Sequence, residues 1–105
     1  MQGDAIARFD QIMARYAADQ RVTAGKMFSA VGLKVDGKIF AMLPRGTFVV
    51  KLPAARIEGL IGAGRAARFD PGHGRLMREW AVIDPAEDWE SLAGEAYAFV
   101  SSLSR

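Results

Sequence analysis

The tetrapeptide Val35-Asp36-Gly37-Lys38, set between two apolar runs, constrains the fold more than any other feature of the chain. A two-residue type I′ turn needs positive φ at both central positions, which aspartate tolerates and glycine adopts freely. The pair therefore predicts an antiparallel hairpin in which Leu33 faces Phe40 and Val31 faces Met42 on one side of a sheet. Gly32 marks a bend or bulge in the first strand. Strand character runs from Lys26 to Leu52, and Pro44-Arg45-Gly46 makes a second turn into Thr47–Lys51. The expected product is a three-stranded meander.

Helical patterning flanks this meander. Ile6, Phe9, Met13, Tyr16 and Ala17 recur at steps of three and four, with Asp4 as an amino cap and an end near Asp19. Pro53 opens a short helix through Ile57, Leu60 and Ile61, and Gly62-Ala63-Gly64 stops it. Ala66–Phe69 and Glu79–Ile83 read as strands joined by the turn-rich Asp70-Pro71-Gly72-His73-Gly74. Asp84-Pro85-Ala86-Glu87 has the form of a capping box. The stripe after it is Trp89, Leu92, Ala93, Ala96, Phe99, Val100 and Leu103. The predicted fold is α+β: a two-layer single domain over residues 1–105, with a five-stranded antiparallel sheet and three helices in the order αβββαββα.

Composition removes most chemistry. With 105 residues, half of them hydrophobic, the chain can bury one core without staples. It has no cysteine and one histidine, which excludes disulfide scaffolds, zinc ribbons and thiol nucleophiles. The longest apolar run, Ile39–Leu43, is far short of the ~20 residues that cross a bilayer, and no signal peptide opens the chain. A cytoplasmic protein with no membrane association is the expectation.

The run Lys26-Met27-Phe28-Ser29-Ala30-Val31-Gly32-Leu33-Lys34-Val35-Asp36-Gly37-Lys38-Ile39-Phe40-Ala41 resembles the TfoX (Sxy) amino-terminal domain family. The likeness rests on a Met-Phe start, a glycine before an apolar residue, and Val-Asp-Gly-Lys followed by a hydrophobic residue, Phe and Ala. Lys51, Gly74, Met77 and Trp80 match as well, and the resemblance covers roughly residues 10–103. It implies a fold like that of secretion chaperones. TfoX or Sxy proteins regulate natural competence with the transcription machinery and carry a helical carboxy-terminal domain after this one. The chain stops at Arg105, so the resemblance implies a stand-alone member lacking that domain. It brings no catalytic or binding residues with it.

No catalytic constellation stands out. His73 sits in a glycine-flanked turn among Arg68, Arg75 and Arg78, where a metal would need cysteine, histidine or carboxylate partners. Only Asp70 is near enough in sequence to orient it as a base, and a solvated loop histidine is the better reading. Gly62-Ala63-Gly64-Arg65-Ala66-Ala67 fits a dinucleotide fingerprint in letters, but it closes a helix instead of opening one. Trp89, Phe99, Phe28, Phe40 and Phe48 read as core, and Trp80 as half exposed. No cofactor, no metal and no enzymatic activity are predicted.

Charge is the feature with a functional flavour. The net +2 is the remainder of +8 over residues 21–78, −5 over 79–105 and −1 over the first twenty. One reading gathers Arg65, Arg68, Arg75 and Arg78 around a turn, with Lys34 and Lys51 on strands, to meet phosphate or an acidic partner. The favoured reading has the basic sheet region and the acidic closing helix neutralising one another within the domain. Two functions follow: a non-enzymatic module that binds a protein partner or a second copy of itself, or a weak, salt-dependent nucleic-acid binder using the basic turn and sheet.

Overall fold

A computed structural model of the chain describes residues 2–27, 30–70 and 77–103. The Asp-Gly turn forms as the sequence predicts, with φ of 53° at Asp36 and 81° at Gly37. It joins β2 (Ala30–Val35) to β3 (Lys38–Met42). A single 3-10 turn, Pro44–Gly46, leads into β4 (Phe48–Lys51), with Arg45 and Gly46 both at positive φ.

Before the hairpin lies β1 (Val22–Met27), a strand the sequence reading does not separate from its neighbour. After β4 come α2 (Ala54–Gly62), β5 (Ala66–Phe69) and β6 (Met77–Ile83). Helices α1 (Gln2–Arg15) and α3 (Trp89–Leu103) open and close the series. The sheet is antiparallel throughout and has six strands, not five, in the order β1-β2-β3-β4-β6-β5. The element order is thus αββββαββα among the described residues. The α+β class stands, and the strand count is corrected. Val22-Thr23-Ala24-Gly25 lacks the apolar alternation of a half-buried strand, because an edge strand need bury little.

The register of the hairpin also departs from expectation. Lys34 pairs with Ile39, but Leu33 pairs with Ala41 instead of Phe40, and Gly32 pairs with Met42. The extra residue lies on β3, so the irregularity falls one position beyond Gly32 and on the other strand. A bulge bends the strand locally. Here it lets Phe40 and Ala41, neighbours in sequence, both join the main core.

That core lies between the three helices and one face of the sheet. Phe9 and Ile12 from α1 meet Leu33, Val35, Phe40, Phe48 and Val50, with Ile57 and Leu60 of α2 and Trp89, Leu92 and Ala96 of α3 completing it. Each fully buried aliphatic or aromatic side chain contributes roughly 1.5–3 kcal/mol relative to exposure. The α1 stripe is rotated from the predicted one: Ala5, Phe9 and Ile12 are buried, whereas Ile6 is 53% exposed. Leu103 of α3 is likewise exposed, and Phe99 is only half buried.

Helix boundaries differ for identifiable reasons. Asp4 lies inside the first turn of α1, so it is not the cap. That helix ends at Arg15, where Tyr16 N–H and Ala17 N–H turn to the carbonyls of Met13 and Ala14, three residues back. Asp84–Glu87 forms a closed turn, with Glu87 N–H on Asp84 O and Ala86 N–H on Asp84 Oδ2. Asp88 is the residue that caps α3, accepting from Ser91 N–H at 3.1 Å. Pro53 is the residue before α2 and not its first, while Gly64, at φ 74°, turns the chain out of that helix into β5. The glycine fingerprint letters therefore close a helix, as read. No helix among the described residues is long and apolar enough to cross a membrane.

Candidate functional site

Alternation along the strands divides the sheet into a helix-covered face and a helix-free face. Phe48, Val50, Ala81 and Ile83 point to the helices. Val49, Lys51, Trp80 and Val82 alternate with them and take the other side, as Lys34 does between Leu33 and Val35. On this face Met42, Val49 and Phe69 are buried in a second, smaller cluster, and Trp80 and Val82 pack against it half exposed. Lys51 and Trp80 are direct cross-strand partners, and Lys51 Nζ lies 5.7 Å from the centre of a Trp80 ring. Arg78, two residues before Trp80, is exposed, and the register shift of β6 against β5 interrupts the alternation between them. The patch is an aromatic and aliphatic centre rimmed by cations.

The six basic residues singled out from sequence do not form one group. Lys34 and Lys51 share the helix-free face. Arg68 pairs with Ala81, a core residue, so it lies on the helix side of edge strand β5. Arg65 precedes β5, and its Nε donates to Glu87 Oε1 at 2.7 Å. Arg75 and His73 lie outside the described residues, as does Phe28. Arg68 and Lys51 thus fall on opposite faces of the sheet, and the turn cluster of Arg65, Arg68, Arg75 and Arg78 extends beyond the described residues.

Ion pairs account for much of the charge asymmetry. Arg15 meets Glu90 at 2.6 Å, Arg56 meets Glu95 through two bonds of 2.9 and 3.0 Å, and Arg65 meets Glu87. Three carboxylates of the acidic closing segment are therefore held by cations from α1, α2 and the approach to β5. The bond from Glu95 raises the Arg56 pKa. Among the described residues, no carboxylate pairs with Lys34, Lys51, Arg68 or Arg78.

Two features were invisible in sequence. At the hairpin end of the sheet, Arg21 forks onto both oxygens of Asp36 and reaches the buried Ser101 hydroxyl at 2.7 Å. That contact to Asp36 pushes the Arg21 pKa up. Beside it, Tyr97 OH donates to Asp19 Oδ2 at 2.6 Å and stacks on Tyr16. This bond holds the Asp19 carboxyl below its ordinary range and raises Tyr97. Burial pushes up Tyr16. Their partners are about 15 to 80 positions apart, beyond the reach of local pattern reading.

A cleft of about 300 Å³ opens beside the start of α1 among Asp4, Arg8, Thr47, Phe48, Ile83 and Trp89. Its polar groups are largely engaged: Thr47 Oγ1 donates to Pro44 O, and Arg8 donates to two backbone carbonyls. No cluster of three or more potential metal-ligating side chains exists among the described residues. Comparison with protein-family models, curated proteins and solved structures finds no match to the chain.

Proposed function

We propose that the chain is a non-enzymatic, cytoplasmic interaction module related to the TfoX amino-terminal domain and of the secretion-chaperone kind, which engages an acidic protein partner through the helix-free face of its sheet. One observation carries the reading. Lys34, Lys51 and the exposed Arg78 have no carboxylate partner among the described residues, and Lys34 and Lys51 share a face with the half-exposed Trp80 and Val82. Cations left unpaired around an apolar centre match the composition of protein interfaces, where aromatic residues and arginine supply most of the binding energy.

The second reading, nucleic-acid binding on the same face, is favoured by the Lys51–Trp80 pair. An indole beside an ammonium suits a stacked base and its phosphate. Titration followed by backbone and indole N–H chemical shifts separates the two. The probes are an acidic amphipathic peptide and a mixed-sequence DNA, single- and double-stranded. The protein reading expects the peptide to move Lys34, Lys51 and the Trp80 indole, with the triple variant Lys34→Glu/Lys51→Glu/Arg78→Glu unresponsive. The nucleic-acid reading expects DNA to move them, with affinity falling steeply as salt rises. If neither probe perturbs this face, both readings fail.

A further inference from the structure

We propose that a second copy of this chain adds to the free edge of the sheet along β1, giving a two-fold dimer centred on Ala24. Natural sheets blunt exposed edges with proline, bulges, short strands or a covering segment. The β5 edge follows that rule: it is four residues long and broken by a register shift between Arg68 and Phe69. The β1 edge does not. Its six residues contain no proline, and their pairing with β2 runs unbroken from Val22↔Val35 to Met27↔Ala30.

The direction of its hydrogen bonds can be deduced. Asp36 N–H donates to Arg21 O at 2.9 Å, which fixes the phase of the antiparallel ladder. Arg21, Thr23, Gly25 and Met27 turn their backbone groups toward β2, so Val22, Ala24 and Lys26 turn theirs outward. Val22 N–H is already bonded to Asp19 O at 3.0 Å. The outward N–H groups of Ala24 and Lys26 and the carbonyls of Val22 and Ala24 have no partner among the described residues, because β1 ends the sheet.

These groups are complementary to themselves. With a two-fold axis through Ala24, normal to the sheet, each Ala24 N–H meets the Ala24 carbonyl of the other copy. Each Lys26 N–H meets the other copy's Val22 carbonyl. The Val22 N–H opposite the other copy's Lys26 carbonyl does not join the ladder, because it is already bonded to Asp19 O within its own chain. At the centre of this register Thr23 stands opposite Gly25 on either side of the Ala24 pair. Thr23 and Ala24 are small and exposed, and the space where a Gly25 Cβ would sit is open. The helices of both copies remain on one side of the extended sheet. A second copy brings the same small residues, Thr23, Ala24 and Gly25, to the axis, so the two edges can approach without a bulky side chain between them. The inference is independent of the helix-free face, since its variants leave Lys51 and Trp80 untouched.

Sedimentation equilibrium tests it. The unmodified chain is expected to move from its 11.4 kDa monomer to twice that mass as concentration rises. Ala24→Pro removes an outward donor while sparing the bonds to β2, and is expected to stay monomeric with unchanged circular dichroism. Should that variant fail to fold, Ala24→Lys sets like charges across the axis and is expected to be monomeric at low salt, recovering the dimer as salt rises. The chain has no cysteine, so Ala24→Cys supplies a single thiol, and mild oxidation is expected to give a covalent dimer. A chain that remains monomeric up to its solubility limit, or a folded Ala24→Pro that still dimerises, overturns the proposal. Cross-linking through Gly25→Cys in preference to Ala24→Cys overturns the Ala24-centred axis.

Discussion

The guanidinium carbon of Arg8 lies 3.8 Å from the centre of a Trp89 ring, while its two terminal nitrogens donate to Pro85 O at 2.7 Å and Glu87 O at 2.9 Å. One side chain of α1 thereby caps the indole and ties down the turn that precedes α3. A planar fork can cover a ring and reach two carbonyls together, which an ammonium cannot. Arg8→Ala is expected to lower stability by about 1–2 kcal/mol, and Arg8→Lys to recover only part of that loss. Urea unfolding followed by tryptophan fluorescence measures both, with circular dichroism as a second probe because Trp80 also emits.

Phe48 links the same region to the core. Its ring stacks on Trp89 with centroids 4.7 Å apart and meets the edge of Phe9 at 6.1 Å. It is fully buried. Phe48→Ala is expected to cost about 3–5 kcal/mol, through lost transfer energy and the cavity left behind. Phe48→Leu, which keeps most of the volume, is expected to cost clearly less. A cost for Phe48→Ala below that of an exposed alanine substitution such as Ile6→Ala would contradict the packing described.

The bond between Tyr97 and Asp19 makes stability depend on pH at both ends of the scale. The Asp19 carboxyl is held low chiefly by the Tyr97 hydroxyl, with help from Arg21 N–H. Its folded value lies below its unfolded value, so its stabilising effect is present above pH about 4 and fades as pH falls through the folded value. Tyr97 is raised by the same bond and by burial. Its effect is complete below pH about 10 and is lost as pH rises through the folded value. Tyr97→Phe is expected to lower the denaturation midpoint at neutral pH and to flatten both limbs. Midpoints collected from acid to alkaline pH check this directly.

Particular residues show what could be read without coordinates. Asp36 and Gly37 announced the hairpin because two positive φ angles in a row are a local demand that few residue pairs meet. Gly64 announced the end of α2 for the same kind of reason. The bulge beside Leu33 was not legible, since it depends on how Phe40 and Ala41 fit beneath α3 and not on either strand alone. Strand β1 escaped because an edge strand carries no apolar alternation. The candidate face shows both sides of this limit. The cations can be listed from the sequence, but which of them share a surface depends on strand parity. Parity in turn depended on the register shift between Arg68 and Phe69.

Gly64 offers a test of backbone conformation apart from packing. Its φ of 74° is a left-handed value, yet a Cβ built there meets nothing within 4 Å. Any loss in Gly64→Ala therefore comes from the backbone and not from a clash. The expected cost is about 1 kcal/mol. Gly62→Ala, with equal space and no positive φ, is expected to be neutral or slightly stabilising. Equal effects at the two positions in thermal or urea unfolding would remove the conformational explanation.

The ion pairs divide the basic residues into two classes with different expected behaviour. Arg56 and Arg65 are held by Glu95 and Glu87, whereas Lys34, Lys51 and Arg78 have no carboxylate partner among the described residues. The two arginine side chains are about 40% exposed, so solvent screens them and each pair contributes at most about 1 kcal/mol. Arg56→Ala is expected to show the larger of these losses, because its two bonds to Glu95 fix the guanidinium in one plane. Lys34→Ala, Lys51→Ala and Arg78→Ala are each expected to change stability by less than about 0.5 kcal/mol. Salt should weaken the first class toward the second. If removal of Lys51 or Arg78 destabilised the fold as much as removal of Arg56, those cations would be serving the domain itself, and the helix-free face would lose its claim to a partner.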